Sequence, residues 1–255
     1  MGGRALIGHT GFVGSTLLRQ CDFDATFNSR NIDQIDGRSF DQIVCAGVSA
    51  VKWLANKEPE ADRQGIQRLT DRLARVSARH FVLISTIDVY RDPSGQTERD
   101  APPTEGLHPY GLHRLALEAF VAGRFASHTI VRLPALFGTG LKKNALFDLM
   151  TLNMTDRIVP NAAFQWYPLR RLGADLQTLV DADLRLVNVT AEPVTMEAIR
   201  ARFFPGVAIA APVATPPRYD LRSVYDAVLG GQGGYHLGAA AVLDEIAAFL
   251  AEAGQ

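Results

Sequence analysis

Gly8, Gly11 and Gly14 enclose His9, Thr10, Phe12 and Val13 near the start of the chain. The spacing G-x-x-G-x-x-G, set between an apolar run and an amphipathic stretch, suits a backbone that turns sharply, admits an anion closely and packs a helix on a strand. The free N–H groups and positive dipole end of such a helix attract phosphate. The turn therefore predicts a dinucleotide site contacted by Gly8, Thr10, Gly11, Phe12, Val13 and Gly14, with Ala46 and Gly47 at the end of a later strand. Dinucleotide sites commonly carry a carboxylate about 20 positions further on for the ribose hydroxyls, but here Asn28, Ser29 and Arg30 stand without one. Arg30 is either a partner for a 2′-phosphate, which favours NADP over NAD, or a solvated loop charge. A second candidate anion site is Lys142, Lys143 and Asn144, which follow the loop Gly138-Thr139-Gly140 and open a helix. Arg170 and Arg171 read as a solvated pair. Lys52-Trp53 and Asn56-Lys57, after the third expected strand, face the same side as the glycine turn, where Trp53 either covers a ligand or packs a loop.

These residues need a frame, and the bulk numbers bound it. A chain of 255 residues, 47% hydrophobic and 21% charged, is long enough for one large α/β domain or a core with a small lobe. Lys and Arg number 26 against 27 Asp and Glu, so no net field recruits nucleic acid or an anionic membrane. Cys21 and Cys45 lack metal-site or disulfide-framework spacing, and no metal is expected. The opening Met1-Gly2-Gly3-Arg4 enters an apolar run with no leader-like region. Leu6 stands where a myristoylation motif wants Ser or Thr, and no apolar run reaches about 18 residues. The expectation is a cytoplasmic protein with no membrane partner.

Apolar runs at 4–8, 24–28, 41–45, 80–84 and 129–133 read as strands. Between them, helical spacing marks Phe12 to Gln20, about Pro59 to Val76 and Leu112 to Phe125. His80 to Ile84 is uninterrupted, as in a parallel strand buried on both faces. This alternation predicts an α/β Rossmann-type doubly wound parallel sheet. After Pro134 the segments shorten under Pro and Gly punctuation, which predicts a small C-terminal substrate lobe. The expected organisation is a dinucleotide-binding core at 1–133, with a returning strand near 184–189. Residues 134–255 then form mainly the lobe, interwoven with the core and closed by a helix from Ala239 to Ala251.

Four segments in order carry a further likeness: the glycine turn, Leu83 to Tyr90 (LISTIDVY), Tyr110 to Glu118 (YGLHRLALE) and Arg132 to Gly138 (RLPALFG). Together they resemble the extended short-chain dehydrogenase/reductases, the NAD-dependent epimerase/dehydratase family acting mostly on nucleotide sugars. Weaker similarity runs through Phe164 to Tyr167 and Leu186 to Val194. The resemblance implies a catalytic hydroxyl on Thr86 and an acid/base phenol on Tyr110. Arg114 takes the place of the family's lysine, one turn beyond the tyrosine. A free tyrosine has a pKa of about 10, and a nearby cation lowers it by favouring the phenolate. Tyr110 and Arg114, at i and i+4 near the start of a helix, can face one cleft and both contact the cofactor.

The resemblance also narrows the reaction. Family 4,6-dehydratases follow the Thr with Asp-Glu, whereas Ile87 and Asp88 stand here, so dehydration is disfavoured. Asp88 is left either as a residual base contacting substrate or as a lone carboxylate that only caps or salt-bridges. Carbonyl reduction or epimerisation needs only Thr86, Tyr110 and NAD or NADP, and reduction asks least of the sequence. The expected partner is a small-molecule substrate, a nucleotide sugar held by Asp88, Lys142, Lys143 and Asn144. Ala135 replaces the family's Asn after the strand Arg, a departure that weighs against the nucleotide. Relatives often pair through the tyrosine-bearing helix, which implies a homodimer. Arginine is a planar fork rather than a point charge, so the competing reading is a non-catalytic dinucleotide-binding or redox-sensing protein. A third reading is an assembly partner of another enzyme.

Overall fold

The computed structural model describes residues 2–254. The strands, in chain order, are β1 (Arg4–Ile7), β2 (Ala25–Phe27), β3 (Ser39–Cys45), β4 (Ser77–Thr86), β5 (His128–Leu133), β6 (Ala135–Phe137), β7 (Ala163–Phe164), β8 (Trp166–Pro168), β9 (Leu186–Asn188) and β10 (Val194–Thr195). The helices are α1 (Phe12–Gln20), α2 (Lys52–Lys57), α3 (Pro59–Leu73), α4 (Pro109–Arg124), α5 (Ala145–Thr151), α6 (Leu172–Asp181), α7 (Met196–Phe203) and α8 (Ala239–Glu252). Six strands form one parallel sheet in the order β2-β1-β3-β4-β5-β9, as the alternation predicts. The returning strand is β9. The chain reverses its direction across the sheet between β1 and β3, and the crevice beyond such a reversal is where open α/β sheets bind ligands. Gly8 leaves β1 there, and Ala46 and Gly47 leave β3.

The pleat sorts the core. Ala5 and Ile7 of β1, Ile43 and Cys45 of β3, and Phe81 and Leu83 of β4 share one buried cluster. Ile66, Leu69 and Leu73 of α3 and Leu117 and Val121 of α4 complete it. α3 forms because Pro59 opens it, Glu60 and Asp62 sit in its first turn, and its buried residues recur at helical spacing. α4 likewise starts on Pro109, with the His108 ring accepting the Gly111 N–H as its cap. α1 and α6 contact each other, and Gly173 lets α6 meet Gln20 and Cys21 closely. Both cysteines are free, and burial pushes the Cys45 thiol up to about 11.

The chain divides into two compact units. The first comprises the chain up to Asp92, Asp100–Arg132 and Leu172–Val187. The second comprises Pro93–Arg99, Leu133–Arg171 and everything from Asn188 onward. This second unit carries two small sheets, β6 with β8 in parallel and β7 with β10 antiparallel. Side chains complete what its short strands leave unpaired. The buried Gln165 carboxamide donates to the carbonyls of Ala191 (2.7 Å) and Leu221 (2.9 Å) and accepts the Leu221 N–H. Glu98 accepts from the Asn188 N–H, the Ser223 hydroxyl and the Val224 N–H. No helix among the described residues is long and apolar enough to cross a membrane.

Candidate active site

The glycine turn is built by contact distances. Gly8 has φ +88°, and a Cβ there would lie 2.3 Å from the Ala46 carbonyl oxygen. A Cβ on Gly14 would lie 2.1 Å from the Gly8 oxygen. Both positions therefore admit glycine alone, for reasons internal to the fold. Gly11 differs: its φ is −79°, and the nearest atom to an added Cβ is 3.5 Å away. Its bare face opens onto the N-terminus of α1, which has no side-chain cap and no acidic residue in its first turn. Thr10 and Gly11 are exposed, and Phe12 and Val13 are partly buried. Such an uncapped, unencumbered helix start fits the pyrophosphate of a dinucleotide.

Past β2 the side chains bind one another. His9 Nδ1 lies 3.1 Å from the Phe27 carbonyl, and its Nε2 lies 3.3 Å from the Asn28 amide nitrogen. With Nδ1–H donating, Nε2 accepts from Asn28. The Asn28 oxygen accepts the Arg30 N–H at 2.8 Å, which folds the segment into a side-chain-closed turn. A neutral carboxamide thus occupies the carboxylate's usual place, and the Arg30 side chain is exposed.

Thr86 ends β4 and Tyr110 lies in the first turn of α4. The Thr86 oxygen accepts the Asp88 N–H at 3.1 Å, and Thr86 acts on the Tyr110 phenol to lower its pKa. A clamp beneath them fixes their spacing. Glu118, two turns further along α4, accepts the Ser85 hydroxyl and a bidentate Arg132 guanidinium, whose remaining arm donates to Tyr90 Oη at 2.7 Å. Arg132 and Glu118 are 2% and 4% exposed. Charge-assisted pairs of this geometry are directional, and this one ties β4, α4 and β5 together. Ser85, Tyr90, Glu118 and Arg132 all lie in the segments that carried the sequence likeness, so much of that signature serves to position Thr86 and Tyr110.

Arg114 is 4% exposed and fully engaged. It donates through both terminal nitrogens to Asp62 of α3 and also to the carbonyls of Tyr110 (3.2 Å) and Ser49. Its guanidinium carbon sits 3.9 Å from the Tyr110 ring centroid, on the ring's face. His113 also bonds Asp62, at 2.8 Å. Burial raises the Asp62 pKa, but the hydrogen bonds from Arg114 and His113 outweigh it and hold the carboxyl below its ordinary range. For Tyr110, burial dominates and lifts the phenol above its ordinary range, against the pull of Arg114, Thr86 and Lys52.

Sequence reasoning placed Thr86, Asp88, Tyr110 and Arg114, and the structure brings these four together. It also adds residues to them. Lys52 Nζ lies 2.7 Å from Asp88 Oδ1. Asn56 accepts the Tyr110 N–H at 3.0 Å. Asp62 and His108 complete the group. Lys52 and Asn56 stood out as unusual residues, and their i, i+4 spacing was the signal of a shared helix face. Lys142, Lys143 and Asn144 lie in the second unit. Both lysines are exposed. Asn144, at φ +132°, caps α5 by accepting the Phe147 N–H and donating to the Leu136 carbonyl. Its carboxamide is thus committed to the loop. Trp53 is 65% exposed, so it does not pack the loop.

A glycine turn at the sheet's reversal point, with Thr86 at the C-terminal end of β4 and Tyr110 at the start of α4, stands on a Rossmann-type fold. The sequence model of the NAD dependent epimerase/dehydratase family matches residues 21–162, more than half of the chain, and the chain belongs to that family. Its fold is similar to dTDP-4-dehydrorhamnose reductase from Yersinia enterocolitica (TM-score 0.77, 13% identity, 98% of this chain and 99% of that one). The enzyme of that name from Bacillus anthracis, in complex with NADP, is similar at TM-score 0.77 and 17% identity over 99% of each chain. UDP-glucose 4-epimerase from Thermotoga maritima, with UDP-glucose, gives TM-score 0.73 and 12% identity over 99% of this chain and 100% of that one. No curated protein matches the sequence.

Proposed function

We propose that the protein is an NAD(P)-dependent reductase of a keto group on a nucleotide-linked sugar, with Tyr110 as proton donor and Thr86 as the hydroxyl that holds the substrate oxygen. The observation that carries this reading is the Ser85–Glu118–Arg132 clamp, which ties the end of β4, bearing Thr86, to α4, bearing Tyr110. A bound dinucleotide supplies hydride exchange at its nicotinamide. Gly11 and the open start of α1 hold the pyrophosphate, and Arg30 takes a 2′-phosphate, which selects NADP. Tyr110 gives its phenolic proton to the carbonyl oxygen as the carbon is reduced, and Thr86 orients that oxygen with a second hydrogen bond. The buried Ile87 beside Thr86 offers no acid for eliminating water, which favours reduction over dehydration.

A dTDP-linked 4-keto-6-deoxy sugar with NADPH is the first assay, motivated by the structural likeness to the dehydrorhamnose reductases. Tyr110→Phe should lower kcat/KM by about 10²- to 10⁴-fold, the usual worth of a positioned general acid. Unchanged turnover in that variant would remove Tyr110 from the chemistry. The commitment of Arg114 to Asp62 favours a second reading, a dinucleotide-binding protein without turnover. Tight dinucleotide binding with no reduction across a panel of keto sugar nucleotides would select it.

A further inference from the structure

Tyr110 is buried, and a buried phenol that exchanges protons near neutrality needs a positive charge within reach. Arg114 is a fixed background for that purpose. Its charge lies on the ring face, is matched by Asp62, and is sealed from solvent. A second cation is Lys52 of the short helix α2, whose side chain is partly exposed and paired with Asp88.

Two contacts hold α2 and the Asp88 turn against the first turn of α4. Asn56, one helical turn beyond Lys52, accepts the Tyr110 N–H. The Asp88 carbonyl oxygen sits so close to Gly111 that a Cβ there would be 2.3 Å away. Asp88 also gives its N–H to Thr86 and its carboxylate to Lys52. The ion pair is therefore held beside both members of the Thr–Tyr pair.

We propose that Lys52 is the counter-cation of Tyr110 and that its pairing with Asp88 sets how much of that charge the phenol feels. Lys52 is thus a positioning residue reached from α2, where the family's lysine would come from the tyrosine's own helix. This rests on the reading of Tyr110 as the proton donor. The groups facing the phenol are Lys52 from α2, Thr86 and Asp88 from the end of β4, and His108 and Arg114 from α4, with Asp62 of α3 behind Arg114. Among them, Asp88 raises and Lys52 lowers the phenol's pKa. The two variants must therefore act in opposite directions.

The test uses the ligand-free protein labelled with 3-fluorotyrosine, whose lower-titrating phenol can be followed by 19F NMR where the fold persists. The Tyr110 resonance is assigned by its loss in Tyr110→Phe. Lys52→Met should raise the Tyr110 midpoint by about one pH unit, Asp88→Asn should lower it, and Lys52→Arg should restore it. A midpoint that Lys52→Met leaves in place overturns the proposal, as does an Asp88→Asn shift in the same direction as Lys52→Met. If Lys52→Met fails to fold, the Asp88→Asn shift decides alone: downward supports the proposal, and absent or upward overturns it. Because no ligand or turnover enters the readout, the Lys52 proposal can fail while the reductase assay succeeds, and the reverse.

Discussion

The glycines of the turn carry different burdens, and single substitutions separate them. Ala at position 14 would place a Cβ inside the Gly8 carbonyl oxygen, and neither partner can yield without moving β1 or α1. Gly14→Ala should therefore destabilise the protein by about 1–3 kcal/mol, the range for overpacked sites. Ala at position 11 meets no such neighbour, and its φ of −79° is ordinary for alanine. Gly11→Ala should leave the denaturation midpoint unchanged or slightly higher, since alanine narrows the unfolded ensemble by about 0.4–1 kcal/mol. Yet it should weaken dinucleotide binding at least about tenfold, a loss of about 1.4 kcal/mol. Titration of nicotinamide fluorescence alongside urea unfolding checks both. Equal dinucleotide affinity in wild type and Gly11→Ala would mean that the open face is not where the pyrophosphate lies.

Helices α3 and α4 are joined by more than their apolar stripes. Arg114 and Asp62 form a bidentate pair with side chains 5% and 8% exposed, and removing one member of such a pair strands the other charge. Asp62→Asn should cost about 3–5 kcal/mol in denaturant unfolding at neutral pH. The pH dependence has a definite sign. The Asp62 pKa is lowered on folding, so its contribution is complete above the unfolded value of about 3.9. That contribution is lost as pH falls through the lowered folded value. The stability gap between wild type and Asp62→Asn should therefore be flat at neutral pH and close only in strong acid; a gap that closes already near pH 6 would point to a different partner. The same pair shows what sequence conveys. β1, β4, α3 and α4 were legible because apolar periodicity, Pro59 and the length of each run are local signals. Thr86, Tyr110 and Arg114 were legible through short motifs. Asp62 was not, because its partner lies 52 residues away and nothing local distinguishes it from any first-turn acid. The six-residue α2 has a single buried residue, Ala55, so it offered no stripe to read. The two-residue strands β7 and β10 are too short to show a period.

At the scale of the whole chain, the backbone passes five times between its two compact units. No single cut separates the two units: α6 and most of β9, which belong to the first, are supplied after residue 171. Every residue proposed to hold the dinucleotide lies in the first unit, so binding should stabilise that unit by mass action. At a ligand concentration about 100 times Kd the gain is about 2.7 kcal/mol, and for a chain of this size that raises Tm by about 5–10 °C. Scanning calorimetry with NADPH and with NADH reads this directly. Arg30 is exposed, so Arg30→Ala should leave the Tm of the protein alone unchanged. If Arg30 meets the 2′-phosphate, wild type should respond more to NADPH than to NADH at equal concentration, and Arg30→Ala should respond equally to both. Equal responses in wild type would make Arg30 a solvated charge and NAD the ordinary partner. A Tm that neither nucleotide moves would remove dinucleotide binding, and with it the reductase reading, while leaving the packing reasons for Gly8 and Gly14 intact.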